Sequence, residues 1–91
     1  MKHPISVEGF NGSLEDLVDK LGKMRFDILR NFLSLLSENL SAQADADANA
    51  GRSQLANQLY AASLKIYGAK DKIDRAYKIS KPYMKDTNNL Q

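Results

Sequence analysis

A chain of 91 residues with 43% hydrophobic and 26% charged side chains is long enough for one small folded domain, and this balance argues against intrinsic disorder. The complete lack of cysteine excludes a disulfide frame, a thiolate metal site and a cysteine nucleophile, and suits a reducing compartment. The formal net charge of +2 hides an asymmetry: residues 1–50 carry five Lys/Arg against eight Asp/Glu, whereas residues 51–91 carry eight against three, so the two halves attract.

Residues 1–12 predict a leading segment, disordered or with one short extended piece, because Pro4, Gly9 and Asn11-Gly12 break regularity. Met1-Lys2-His3-Pro4-Ile5 has no secretory apolar run, and 18 consecutive apolar residues occur nowhere, so a cytoplasmic location without a transmembrane segment is expected. Ser13 has the hydroxyl to cap a helix, with Glu15 in the first turn and Asp16 three residues after the cap. One long helix is predicted over 13–44. Leu14, Leu17, Leu21, Met24, Ile28, Phe32 and Leu35 mark one stripe along it. From Phe26 onward a second stripe joins: Phe26, Leu29, Leu33, Leu36 and Leu40. A helix this apolar between 26 and 40 is expected to be covered on more than one side.

Residues 41–53 are small, and Asp45, Asp47, Asn49 and Gly51 predict a turn over 45–51. The spacing of Asp45, Asp47 and Asn49 matches the first three oxygen ligands of a calcium-binding EF-hand loop. Ala50 stands where that loop needs glycine and Ala56 where it needs glutamate, so no metal is expected.

A second helix is predicted over 52–81. Leu55, Leu59, Ala62, Ile66, Ala69, Ile73 and Ala76 alternate spacings of four and three, the period of a coiled-coil seam. The alanines leave flat places that let a partner helix approach toward the short end of the roughly 8–10 Å interaxial range. Pro82 disfavours helical geometry at Lys81 and is predicted to stop the helix, leaving 82–91 as a polar tail.

The predicted fold class is all-α: a long antiparallel two-helix hairpin in which residue i lies opposite about 95 − i. The seam of the second helix is expected to pack on Leu21, Ile28, Phe32 and Leu35, with Gly68 in close contact near Asp27. Phe26, Leu29, Leu33, Leu36, Leu40, Tyr60, Leu64 and Tyr67 then form the predicted interface of a homodimeric four-helix bundle.

Chemistry is thinly represented. His3 is the only histidine and no second imidazole completes a metal site or a catalytic triad. Many of the acids read as solvated pairs four apart with bases: Asp16–Lys20, Asp19–Lys23, Asp71–Arg75 and Asp74–Lys78. No glycine-rich phosphate loop occurs, so neither catalysis nor a cofactor is predicted. Lys70, Lys72, Arg75, Lys78 and Lys81, interleaved with Tyr67, Tyr77 and Tyr83, are the candidate contact for nucleic acid or an anionic membrane. The expected function is a non-catalytic interaction or assembly module that associates with itself or another helical protein. The alternatives are an adaptor or chaperone-like protein holding a partner's amphipathic helix, and a basic polyanion binder through residues 65–85. The turn reads Asn49-Ala50-Gly51 where the secreted helical hairpins carry Trp-x-Gly, so the residues point to no family.

Overall fold

A computed structural model describes residues 3–84, which form three α-helices with no strand among the described residues: α1, Leu14–Gly22; α2, Phe26–Asn49; and α3, Ser53–Met84. Helix α1 starts at the predicted cap. The Asp16 N–H donates to Ser13 Oγ at 3.1 Å while the Ser13 N–H donates to the Asp16 carboxylate at 3.2 Å, a reciprocal capping box. Ahead of it the Phe10 N–H closes a turn on the Val7 carbonyl at 3.1 Å, with Gly9 at φ 84°, a backbone angle that favours glycine.

The single helix predicted over 13–44 is two helices. It stops at Gly22, and Arg25 adopts an extended backbone of φ −53° and ψ 141° before α2 begins. The joint is fastened by its own side chains. Arg25 Nε and Nη2 donate to the two carboxylate oxygens of Asp27 at 2.7 and 3.0 Å, and Asp27 Oδ1 also accepts the Ile28 N–H at 2.9 Å. Hydrophobic spacing carries no trace of this break, because Leu21, Met24 and Ile28 keep helical intervals across it, whereas glycine's poor helix propensity supplies it.

The predicted turn over 45–51 contracts to Ala50-Gly51-Arg52. Alanines at 42, 44, 46 and 48 carry α2 through Asp45, Asp47 and Asn49, since alanine is the strongest helix former and outweighs the three turn-prone residues. Gly51, at φ 85°, ends the helix in a Schellman motif: its N–H donates to the Ala48 carbonyl at 3.0 Å and the Arg52 N–H to the Asp47 carbonyl at 2.8 Å. At the other end α3 passes through Pro82 to Met84 instead of stopping before it. Proline there forfeits only the bond to the Lys78 carbonyl, and two described residues follow. Of the predicted tail over 82–91, residues 85–91 lie outside the described residues.

Helices α2 and α3 pack antiparallel along their length, while α1 buries no residue. The line of closest packing consists of small side chains. Among the described residues, Ser37, Ala44 and Asp47 of α2 and Ala56 and Ser63 of α3 are the buried ones, Ala44 being wholly inaccessible. Ser63 Oγ donates to the Ser37 carbonyl at 2.8 Å and lies 3.3 Å from Ser37 Oγ. Cross-helix bonds join Ser37 to Ser63, Arg30 to Asp74 and Asp45 to Tyr60, so level residues have numbers adding to between 100 and 105 rather than about 95. The shift follows from the shorter, later turn.

The seam itself differs from the predicted one. Ala56 and Ser63 face α2, so α3 is rotated about a quarter turn away from the expected Leu59, Ala62, Ile66, Ala69, Ile73 and Ala76 row. Their expected partners Ile28, Phe32 and Leu35 are exposed, Leu35 by 65%, and Leu21 belongs to the detached α1. Gly68 faces open space rather than Asp27. The physical reason is that serine and alanine let two backbones approach more closely than leucine and isoleucine do, at the expense of moving the large side chains to the flank. As a result no large side chain is fully buried among the described residues. The radius of gyration is 16.1 Å, against about 12 Å for a compact domain of this length.

Candidate interaction face

The quarter turn of α3 creates one dominant feature. At 100° per residue, Leu29, Phe32 and Leu36 fall on one flank of the α2 midline, and Leu55, Leu59, Ile66 and Ile73 on one flank of the α3 midline. Because the helices run antiparallel, both rows lie on the same side of the plane containing the two axes. Leu33 and Leu40 fill the space between the α2 row and the midline. All of these side chains are half-buried except Phe32, which is exposed. Together they form an apolar face two helices wide.

The opposite side of the pair carries more polar groups without being bare of apolar ones. A shallow groove there is lined by Ser37, Glu38, Ser41, Asp45 and Ser63 together with Ala42, Leu64 and Tyr67. Asp45 accepts the Tyr60 hydroxyl, and this bond, with some desolvation and the nearby carboxylate charge, raises the Tyr60 pKa above its ordinary value. Of the eight predicted interface residues, Leu29, Leu33, Leu36 and Leu40 belong to the apolar face or its edge, and Phe26 sits at the open end of the midline. Tyr60, Leu64 and Tyr67 lie toward the polar side, Leu64 being 73% exposed. The eight are therefore not gathered in one place. Leu55, Leu59, Ile66 and Ile73 take the places of the last three. Their spacing of four and seven was the signal for them, read as an interior seam.

Helix α1 adds a separate apolar strip. Leu14 and Val18 are exposed, and the leading segment folds back so that Ile5, Val7, Phe10, Leu14 and Leu17 line a common groove. The Phe10 ring lies so close to Gly12 that a Cβ there would approach it to 2.7 Å.

Charges tie the open end of the pair together. Arg30 Nη1 donates to Asp74 Oδ1 at 2.6 Å and Lys78 Nζ meets Asp74 Oδ2 at 3.1 Å, so both oxygens of one carboxylate are engaged. Bonds from Arg30 and then Lys78 hold Asp74 below the ordinary carboxylate value of 3.8. The Arg25 bond similarly lowers Asp27 and raises Arg25. Of the four predicted pairs, Asp19–Lys23 forms at 3.0 Å alongside Asp74–Lys78. Asp16 is used by the helix cap, and Asp71 turns to Lys70 at 3.0 Å, raising the Lys70 pKa.

Of the candidate polyanion contacts, Lys70 sits over the Tyr67 ring at 4.2 Å and Lys81 over the Tyr77 ring at 5.4 Å, while Lys72, Arg75 and Lys78 are exposed and step round α3 by roughly 60° every three residues. Asp45 and Asp47, the EF-hand-like pair, lie on α2 and are occupied by Tyr60 and Arg52. His3 is exposed. Among the described residues no three His, Cys, Asp or Glu side chains group as metal ligands, and no helix is long and apolar enough to cross a membrane. In comparisons with known proteins, no family model, curated protein or solved structure matches this chain.

Proposed function

We propose that this protein is a non-catalytic assembly module that self-associates through the apolar face of the α2–α3 pair to give a dimeric four-helix bundle. One observation carries the reading: eight large aliphatic side chains, Leu29, Leu33, Leu36, Leu40, Leu55, Leu59, Ile66 and Ile73, stand half-covered on one side of the pair, while Ser37, Ala44, Asp47, Ala56 and Ser63 occupy the interior. The accessible surface is 7195 Å², against roughly 5,300 Å² for a compact monomer of 10.2 kDa. Completing the burial of Leu29, Phe32, Leu36, Leu55, Leu59, Ile66 and Ile73 yields about 1 kcal/mol apiece. Over two copies that is on the order of 10 kcal/mol gross, the scale needed to offset the rigid-body entropy lost on association.

Light scattering across a concentration series tests the proposal. The expected mass is about twice 10.2 kDa throughout, and Leu36→Asp is expected to halve it or to unfold the chain. A constant 10 kDa for the unaltered protein sinks the self-association reading. Such a monomer would shift the same face to the adaptor reading, in which it receives an amphipathic helix from another protein.

A further inference from the structure

Resting on that reading, we infer how the two copies meet: they stack face to face with their turns at the same end, so that α2 of each lies over α3 of the other. Three features select this arrangement and a second copy of the chain as the occupant.

The first is area. The apolar rows run over residues 29–40 of α2 and 55–73 of α3, roughly 17 and 27 Å at 1.5 Å per residue, and two helices side by side span about 20 Å, so the flat outline of the face is roughly 450 Å² per copy. Interfaces at the small end of the range take about 600 Å² or less from each partner, so a second copy of the same face is of fitting size.

The second is charge. Along α2 and its two ends, Arg25, Arg30 and Arg52 stand against Asp27, Glu38, Asp45 and Asp47, a net −1, with Asp27 and Asp47 paired to Arg25 and Arg52; within α3, six Lys/Arg stand against Asp71 and Asp74, a net +4. With the turns together, each acidic helix lies over a basic one. Stacked head to tail, α2 would lie over α2 and α3 over α3, setting like against like.

The third is relief. Level residues have numbers adding to between 100 and 105, and the turn-together two-fold preserves that level between copies. Phe32, the largest projection on the α2 row, then comes over the partner's Ala69, and Leu36 beside the partner's Ile66. A bulky ring meets a flat place, as close helix packing requires.

The absence of native cysteine allows a direct test. Phe32 and Ala69 are both exposed, so Phe32→Cys and Ala69→Cys leave the fold intact. The two single-cysteine proteins are mixed, allowed to exchange, and treated with a short bis-maleimide. The expected result is a mixed covalent dimer several-fold more abundant than either self-linked product. Predominance of the Phe32→Cys self-linked product would mean head-to-tail stacking and overturn the inference. No linkage with the mass still near 20 kDa would place the interface elsewhere, overturning this arrangement while leaving self-association standing. A 10 kDa mass for all proteins overturns both.

Discussion

The two ends of the α2–α3 pair are held by different physics. At the turn, Ala44, Asp47 and Ala56 are buried, Gly51 ends one helix, and Arg52 folds back onto Asp47 with Nε at 2.9 Å and Nη2 at 2.8 Å from the same oxygen. At the open end the crossing groups are long and partly solvated: Arg30 reaches Asp74 and stands 6.0 Å from the Tyr77 ring centre. Ser37 and Ser63 mark the middle, the last position where small side chains meet. The difference teaches that proximity near the turn comes cheaply, because three connecting residues already hold the backbones together. Farther out, reach replaces packing, and the Arg30–Asp74 pair there is only partly shielded from water, at 30% and 23% exposure.

Overfilling the closed end should have the largest effect. Ala44→Leu puts three extra carbons into a site with no accessible surface, and about 2–3 kcal/mol should be lost in urea unfolding. Ala42→Leu, on an exposed position two residues away, should change stability by less than about 0.5 kcal/mol. Equal behaviour of the two variants would remove the close-packed midline.

Next in size is Arg52→Ala. It strips the partner from an Asp47 side chain that is 7% exposed, and should cost about 2 kcal/mol as a lower unfolding midpoint. Arg30→Ala leaves behind the 23% exposed Asp74, which keeps Lys78, and should cost less; the reverse order would break the contrast between the ends.

Ser63→Ala should cost about 1 kcal/mol, because Ser63 Oγ bonds both the Ser37 carbonyl and the Ser37 hydroxyl. Ser37→Ala removes only the hydroxyl contact and should be milder. A double-mutant cycle between them would measure the coupling at the middle of the pair.

The smallest effect is one of pH. Asp74 titrates below 3.8 in the folded chain, so its ionic partners stabilise the fold fully above that value. That stability drains away as pH falls through the folded value. Thermal melts taken from about pH 5 to pH 2 should therefore show an acid loss at the open end that is reduced in Asp74→Asn. Asp27 titrates in the same direction at the α1–α2 joint, so the variant should keep the part of the loss that comes from there. An unchanged profile in Asp74→Asn would mean that the Arg30 bond holds nothing.

Much of this molecule was legible in local spacing, because local spacing is what helices obey. The all-helical class follows from apolar periods of three and four. The Ser13 cap follows from a hydroxyl and an acid three residues apart, and the Asp19–Lys23 and Asp74–Lys78 pairs from opposite charges one turn apart. The surplus of apolar surface was also visible, since 26–40 has more large side chains than one neighbour can cover. What the tertiary structure decided was which side of each helix the other one meets. Hydropathy ranks Leu59, Ile66 and Ile73 above Ser63 and Ala56, yet the small residues won the midline, because the distance between two backbones is limited by the bulk between them. That competition involves residues 15 to 44 positions apart, from the Asp45–Tyr60 bond near the turn to the Arg30–Asp74 bond at the far end, and no window along one helix contains both sides of it. The same choice turned the aliphatic row outward, and with it the face now proposed to meet a second copy.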